Sequence, residues 1–200
     1  TKSNWGMAQN VFANLQSLGA DVTLIANKED STKTRYVDSK TNHMFLRVDS
    51  GEQKFKRIEN LTTDTLESYD AIVISDYNKG FLESDDIKFI ADNHDLVFLD
   101  TKKHLGAWCK NCNFIKINEK EYNATLHTLH EIGFATLDNL IVTLSESGCR
   151  YQAVVYPVKQ VEVRDLTGAG DTFLAGLVVK YLQTKSATDA IKYANECATE

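Results

Sequence analysis

The 200-residue chain lacks the long apolar runs of a membrane-spanning protein. Its uninterrupted apolar stretches are only a few residues long, whereas a transmembrane helix needs roughly 20 residues. An excess of basic charge is also missing. The formal net charge is −6 at pH 7, so the chain has no overall positive field to attract a polyphosphate backbone. These absences argue against a membrane span and against a nucleic-acid partner.

Cysteine is scarce, with 4 residues at irregular spacing. This number is too small for a disulfide scaffold and predicts reduced thiols in a cytoplasmic protein. Cys109 and Cys112 form a C-x-x-C pair. Because no second pair lies nearby, we interpret them as two incidental thiols rather than as a zinc or redox site. The N-terminus lacks the basic-then-apolar order of a signal peptide, although a chain that does not begin with Met can have lost one.

Low-complexity segments, flexible linkers and internal repeats are absent as well, which favours one globular domain. Three continuous apolar runs, each separated from the next by polar helical stretches, are typical of strands buried between two layers of helices. The runs are residues 71–74, 96–99 and 140–142. The predicted fold is therefore α/β, with three αβα layers around a mainly parallel sheet.

The first 50 residues predict a helix, a strand and a small separate sheet. Apolar residues at helical spacing between positions 11 and 18 predict an amphipathic helix that ends at Gly19. Val22 to Ala26 reads as a strand. From Thr32 to Asp49 the chain is rich in Thr, Tyr, Val and Phe with partial alternation, which predicts short strands outside the main core.

Polar residues follow each buried run at the point where the predicted strand ends. They are Ser75 and Asp76, Asp100 and Lys102, and Ser145 after the three runs, and Asn118 after a fourth segment, residues 114–116. Ligands of open α/β sheets bind at the carboxyl ends of the strands, so the coincidence of four such ends favours a ligand site there. The alternative is that these residues are polar because loops are polar.

A glycine-containing segment precedes the predicted helix that begins near Phe173. Residues 165–173 read Asp-Leu-Thr-Gly-Ala-Gly-Asp-Thr-Phe. Gly168 and Gly170 can adopt backbone angles closed to other residues, so that successive N–H groups converge on an anion at the positive end of the helix. Asp171, in the first turn, can accept a proton from an attacking hydroxyl. The alternative is a tight turn in which Asp171 caps the helix.

This segment resembles the C-terminal signature of the ribokinase-like (phosphofructokinase B type) carbohydrate kinases. The resemblance implies a ribokinase-like fold with a small β lid, whose strands would lie within residues 30–50. It also implies that Asp171 is the catalytic base and that Gly168, Ala169 and Gly170 form the anion hole. Asp165 and Thr167 would hold a monovalent cation, K⁺.

Other segments resemble the nucleotide side of the same family. Asn118 and Glu121 match its N-x-x-E motif, which organises Mg²⁺ and the phosphates of ATP partly through water. The same spacing also fits a helix capping box. Residues 140–148 resemble the V-T-x-G-x-x-G segment, with Ser145 where Gly is usual. The implied nucleotide contacts are Lys102, Asn118, Glu121, Thr143, Ser145, Gly148 and Asn195.

Several stretches resemble the D-glycero-D-manno-heptose 7-phosphate kinase branch of the family. Residues 6–15 match its sugar-binding segment except that Met7 replaces a glycine, while residues 75–80 and 100–102 match its S-D-Y-x-K-G and D-P-K segments. The implied sugar contacts are Gly6, Asn10, Asn14, Arg35, Arg47 and Lys79. The cations in this set suit a phosphorylated sugar, because phosphate favours charge-assisted donors.

The resemblance predicts an ATP-dependent kinase that phosphorylates the C1 hydroxyl of heptose 7-phosphate, on the route to nucleotide-activated heptose. One alternative is another kinase of the family, acting on fructose phosphate, ribose or a nucleoside. Another is a sugar- or nucleotide-binding module that has lost catalysis. A dinucleotide-binding oxidoreductase is disfavoured, because no G-x-G-x-x-G follows an early strand. The lid strands offer edges through which a homodimer would form.

A complete member of the family has strands before the Gly6 segment and continues beyond Asn195. We therefore expect residues 1–200 to be a single ribokinase-like domain that is incomplete at both ends.

Overall fold

The computed structural model describes residues 7–27, 32–38, 41, 43–51, 55–131, 138–158 and 168–199. Within these ranges, a six-stranded sheet carries helices on both faces, and a two-stranded sheet forms separately. The helices are α1 (Met7–Ser17), α2 (Thr63–Glu67), α3 (Ser84–Asp92), α4 (Glu119–Glu131), α5 (Ala169–Thr184) and α6 (Ala187–Thr199). The strands are β1 (Thr32–Val37), β2 (Met44–Ser50), β3 (Ile72–Asp76), β4 (Val97–Thr101), β5 (Phe114–Asn118), β6 (Leu140–Thr143), β7 (Cys149–Tyr151) and β8 (Val154–Tyr156).

The main sheet has the order β3-β4-β5-β6-β7-β8, which is also the order of these strands along the chain. Strands β3 to β6 are parallel, and the β7–β8 hairpin adds an antiparallel edge. The mainly parallel three-layer fold predicted from the apolar runs is therefore confirmed. Because the four parallel strands end at the same edge, the polar residues that follow them are brought to one side of the molecule.

The two faces of the sheet bury different sets of side chains, because neighbouring residues of a strand point to opposite faces. On the α1/α5 face, Phe98 and Phe114 stack with ring centroids 5.0 Å apart and join one apolar cluster with α1, α5 and α6. On the α3 face, Leu99 and Ile115 join a second cluster with α2 and α3.

The strand predicted over Val22–Ala26 is wrong. The structure gives this segment no regular secondary structure, and Ile25 is 53% exposed. A strand forms only where a neighbour completes its backbone hydrogen bonds. Among the described residues no strand pairs with this segment, and β3 bonds to β4 alone. An apolar pattern alone therefore does not form a strand when no neighbouring strand is there to pair with it.

Strands β1 and β2 pair antiparallel outside the two apolar clusters, as the pattern of residues 32–49 predicted, while their role as a lid stays a prediction. The hydrophobic side chains of this sheet are strongly exposed, and Phe45 reaches 70%. The set comprises Tyr36, Val37, Met44, Phe45, Leu46 and Val48.

Cys109 and Cys112 are buried free thiols in the cluster of the α3 face. Burial raises the pKa of the Cys112 thiol to about 12, so this thiol stays protonated at neutral pH. Within the described ranges, no group of three or more His, Cys, Asp or Glu side chains is placed to hold a metal ion. None of the described helices has the length and apolar character needed to cross a membrane.

Candidate active site

The start of α5 carries a short glycine loop, Gly168 to Gly170, followed by the carboxylate of Asp171. Gly168 is the N-cap residue and has φ +94°, a left-handed conformation that favours glycine. Its carbonyl accepts hydrogen bonds from the N–H groups of Asp171 and Thr172, each at 2.9 Å. The first N–H groups of a helix have no partner within it, so those of Ala169 and Gly170 point out of the helix start. This geometry can bind an anion.

The Asp171 carboxylate lies in a nearly closed environment, with the residue 8% exposed. Its Oδ2 accepts a hydrogen bond of 3.1 Å from Nδ2 of Asn10 on α1. Burial raises the pKa of Asp171, and the Asn10 amide offsets part of this effect. A carboxylate with a raised pKa is a stronger base than an ordinary one, which suits proton abstraction from an alcohol.

One turn further along α1, the Nδ2 of Asn14 donates to Oγ1 of Thr172 at 3.1 Å. The two asparagines predicted to bind sugar hydroxyls therefore lie beside the start of α5. Their contacts hold α1 against the turn that carries Asp171. Whether they also bind a sugar stays a prediction.

A polar row crosses the sheet on the α1/α5 face at the carboxyl ends of β3, β4 and β5. Ser75 is the register partner of Asp100, and Asp100 is the register partner of Lys116. Asp100 and Lys116 each follow, by two residues, a phenylalanine of the α1/α5 face, so they point to the same side. Nζ of Lys116 lies 2.7 Å from Oδ2 of Asp100, and both side chains are buried.

Lys116 also reaches the glycine loop. A Cβ atom on Gly170 would lie 2.8 Å from Nζ of Lys116, which is closer than real Cβ atoms approach any neighbour. A side chain at position 170 would therefore displace this ammonium group from the loop. The charges of Asp100 and Lys116 also act on the pKa of Asp171, in opposite directions. The carboxylate, the ion pair and the glycine loop thus form one site.

On the α3 face, the same edge of the sheet carries a second buried ion pair. Oδ2 of Asp76 accepts from Oγ1 of Thr101 at 2.8 Å and lies 3.1 Å from Nζ of Lys103. Oδ1 of Asp76 accepts from the backbone N–H of Asn78 at 2.9 Å. These bonds hold the loop after β3 against the end of β4.

Asn118 and Glu121 form the capping box at the start of α4. The Asn118 N–H donates to Oε2 of Glu121, and the Glu121 N–H donates to Oδ1 of Asn118, both at 2.8 Å. Oε1 of Glu121 accepts a hydrogen bond from Nζ of Lys102. Although burial alone would lower it, this ion pair and the nearby Asp100 raise the pKa of Lys102. Each Glu121 oxygen already accepts one bond, so the pair fits a Mg²⁺ ion held through water rather than directly.

The segment after β6 is held by backbone contacts with β8. A Cβ on Gly148 would lie 2.1 Å from the carbonyl oxygen of Tyr156. Nδ2 of Asn195 donates to the same carbonyl at 2.9 Å, so Asn195 is buried between α6 and β8. Ser145 is exposed and has φ +53°, a left-handed angle. That angle explains why glycine suits this position.

Comparison with known proteins gives the family. The model of the pfkB family of carbohydrate kinases matches residues 24–200. The chain belongs to this family. This is the family that its motifs predicted.

Two relatives of this pfkB family chain are each named bifunctional protein HldE. That of Nitratiruptor sp. is 29% identical over 244 aligned positions, which cover 96% of this chain and 52% of the relative. That of Helicobacter pylori is 29% identical over 249 positions, which cover 98% of this chain and 54% of the relative. The chain spans about half the length of the curated relatives it matches.

Solved structures show the same fold at 18% identity. An uncharacterized sugar kinase from Pyrococcus horikoshii has a TM-score of 0.66, with 100% of this chain and 82% of that chain covered. Adenosine kinase from Sinorhizobium meliloti has a TM-score of 0.65, with 99% and 77% covered. The fold of this pfkB family chain is therefore ribokinase-like, as expected.

The other residues predicted for this site either lie outside the described residues or have positions that do not test their roles. Gly6, Asp165 and Thr167 lie outside the described residues, as does the side chain of Arg35. Arg47 is exposed on β2, directly opposite Arg35 of β1. Lys79 is half-buried in the loop after β3, where its carbonyl accepts from the N–H of Phe55 at 2.9 Å. Thr143 ends β6 beside Asn118, its register partner. The roles of these residues stay predictions.

Sequence reasoning missed the lysines of both buried ion pairs. Lys116 lies in the candidate site, and Lys103 holds the loop after β3 on the α3 face. Lys116 carried a usable signal, because it interrupts the apolar run of residues 114–117 that forms a fully buried strand. A charged residue at such a position needs a buried partner of opposite charge. Lys103 carried no such signal, because it lies in a polar stretch next to Lys102.

Proposed function

We propose that this chain is the kinase part of an enzyme that transfers the γ-phosphoryl group of ATP to a hydroxyl of a phosphorylated sugar. The proposed acceptor is the C1 hydroxyl of D-glycero-D-manno-heptose 7-phosphate. The observation that carries the proposal is a buried carboxylate, Asp171, on the same helical turn as the N–H groups of Ala169 and Gly170. The extent of similarity to the two HldE relatives supports the heptose branch over ribokinase or adenosine kinase.

In the proposed reaction, Asp171 accepts the proton of the acceptor hydroxyl as its oxygen attacks the γ-phosphorus. A bond forms between that oxygen and phosphorus, the bond from phosphorus to the β–γ bridging oxygen breaks, and ADP leaves. The N–H groups at the start of α5 stabilise the negative charge on the migrating group. Base and anion site share one turn, so a single helix positions both.

The nucleotide side is proposed to lie at the start of α4. Asn118 and Glu121 would hold Mg²⁺ through water, and Lys102 would lie beside the phosphates while paired with Glu121. When bound, Mg²⁺ neutralises phosphate charge. The proposed K⁺ site at Asp165 and Thr167 lies outside the described residues.

The proposed location is the cytoplasm, where the 4 free cysteines stay reduced.

The acceptor is tested by a panel. The purified chain is incubated with Mg²⁺–ATP and, separately, with heptose 7-phosphate, fructose 6-phosphate, ribose and adenosine, and kcat/KM is measured for each. Heptose 7-phosphate is expected to be phosphorylated most efficiently, and phosphorus NMR should show a 1,7-bisphosphate. Preference for ribose or adenosine would overturn the acceptor while leaving a kinase. Binding of ATP and sugar without turnover would support the non-catalytic module instead.

A second proposal concerns assembly: two copies pair through the lid sheet. Its support is the six exposed hydrophobic side chains of β1 and β2, since apolar patches of this kind mark interfaces. Light scattering after gel filtration tests this proposal. The wild-type chain should elute as a dimer, and a Phe45→Lys/Leu46→Lys variant as a folded monomer. A monomeric wild type at micromolar concentration would overturn it.

A further inference from the structure

The Asp100–Lys116 ion pair is almost completely buried. Asp100 is 1% exposed and Lys116 is 5% exposed. Removing two charges from water is costly, and apolar residues of similar volume often replace such pairs without loss of stability. An ion pair kept in the middle of a buried sheet therefore invites a functional explanation.

The position of Lys116 supplies one. Its Nζ lies against Gly170, at the positive end of α5. An ammonium group and a helix N-terminus repel each other, and an anion placed between them removes the repulsion. Lysine has three N–H donors, and Asp100 is the one acceptor of Lys116 within the described ranges. Two donors therefore remain for a ligand next to the glycine loop.

The neighbours of Lys116 are also incompletely hydrogen-bonded. Oδ1 of Asp100 and Oγ of Ser75 are buried and have no hydrogen-bond partner in the described part of the chain. Buried polar atoms normally have partners, so such a pair of orphans marks a place completed by a ligand or by water. Both belong to the same polar row as Lys116.

We propose that Lys116 is a catalytic residue that donates hydrogen bonds to the phosphoryl group being transferred, and that Asp100 is the positioning residue that holds its ammonium group. This inference depends on the proposed function for the identity of the anion. The proton of the alcohol goes to Asp171, so Lys116 takes part in no proton transfer. It forms no covalent bond and contributes fixed positive charge where negative charge is redistributed.

Comparison of ATP with ADP tests this role without a sugar, because ADP lacks the transferred group. The main variant is Asp100→Asn/Lys116→Met, which removes both charges together and so avoids leaving an unpaired buried carboxylate. Its thermal unfolding should resemble that of the wild type. In calorimetry it should bind ADP as the wild type does, and ATP at least about tenfold more weakly. Lys116→Arg, which keeps the charge, should retain part of the preference for ATP.

The matched control is Asp76→Asn/Lys103→Met, which removes the equally buried ion pair of the α3 face. This variant should keep the preference for ATP over ADP. Unchanged ATP preference in the Asp100→Asn/Lys116→Met variant, or no preference in the wild type, would overturn the proposal. Equal loss in both double variants would do so as well, because it would indicate a structural effect. A wild type that prefers ATP through Lys116 but phosphorylates no sugar would refute the proposed function and the catalytic role, and would leave only the contact of Lys116 with the γ-phosphoryl group.

Discussion

At the same edge of the central sheet, the buried carboxylates of the two faces differ in how many hydrogen bonds they accept. On the α3 face, Asp86 accepts from Nε and Nη2 of Arg57 at 2.8 and 2.7 Å and from the Glu83 N–H at 2.8 Å. On the α1/α5 face, Asp171 has one hydrogen bond, from Asn10, among the described residues, and Asp100 has an oxygen with none. The carboxylates of the α3 face are fully hydrogen-bonded, whereas the α1/α5 face has carboxylate oxygens and lysine N–H groups without a partner among the described residues.

The pKa values of the two carboxylates follow this difference. Burial raises the pKa of Asp171. Burial acts in the same direction on Asp86, but the Arg57 guanidinium and the Glu83 N–H outweigh it and lower the pKa of Asp86. Full bonding stabilises the folded chain, whereas incomplete bonding leaves a more basic carboxylate. Under the proposed function, the α3 face serves the fold and the α1/α5 face serves the chemistry.

The largest expected effect comes from Asp171→Asn. Turnover should fall at least about a hundredfold, as for loss of a positioned base, while ATP still binds. Because the pKa of Asp171 is raised, its ionisation reduces stability as pH rises from the ordinary value through the raised one. The variant should therefore unfold at the same or a higher temperature at neutral pH. A sugar-kinase assay and a thermal melt check both parts, and an unchanged rate would contradict the assignment.

Gly170→Ala should reduce turnover by about tenfold or more, because the new Cβ would displace Nζ of Lys116 from the loop. Alanine is the better helix former by about 1 kcal/mol, so a loss of activity would not reflect a weakened helix. Urea unfolding serves as the control measurement. Wild-type kcat in a folded Gly170→Ala protein would show that the close approach of Lys116 has no catalytic role.

Asn10→Leu should have a smaller effect, which appears in the pH dependence. The Asn10 amide lowers the pKa of Asp171 relative to burial alone, so its removal should raise that pKa further. Because the base must be ionised, the acid limb of kcat should move to higher pH, with a loss of about two- to tenfold near its midpoint. Asn14→Leu is the matched control, since Asn14 contacts Thr172 and not the carboxylate. Identical acid limbs in Asn10→Leu and wild type would refute this role.

The smallest effect on activity is expected from Asp86→Ala on the α3 face. The variant loses a helix cap and should lower the free energy of unfolding by about 1–2 kcal/mol, with kcat unchanged. Because the pKa of Asp86 is lowered, its contribution is present above the ordinary aspartate pKa and is lost as pH falls through the lowered value. Denaturant unfolding at neutral and acidic pH measures this. A kcat that fell with stability intact would contradict the division between the faces.

The local patterns predicted much of this molecule. The buried strands, the helix of residues 7–17 and the turn that carries Asp171 follow from hydrophobic spacing, capping residues and glycine positions, which act over a few residues. The strand predicted over residues 22–26 failed because a strand also needs a neighbour, which no local pattern specifies. The spacing of Asn118 and Glu121 gave two predictions. The structure confirms the capping box, while the Mg²⁺ role stays a prediction.

The sequence by itself determined the family, the parallel sheet and the acid beside the glycine loop, because each is encoded by residues close together in the chain. Tertiary structure decided the partners of that acid. Asn10 lies 161 residues from Asp171, and Lys116 reaches Gly170 of α5 from strand β5. These contacts form because strand register and helix packing bring residues that are distant in the chain together in a buried space. There, water no longer screens their charges, and each polar atom must find a partner or a ligand.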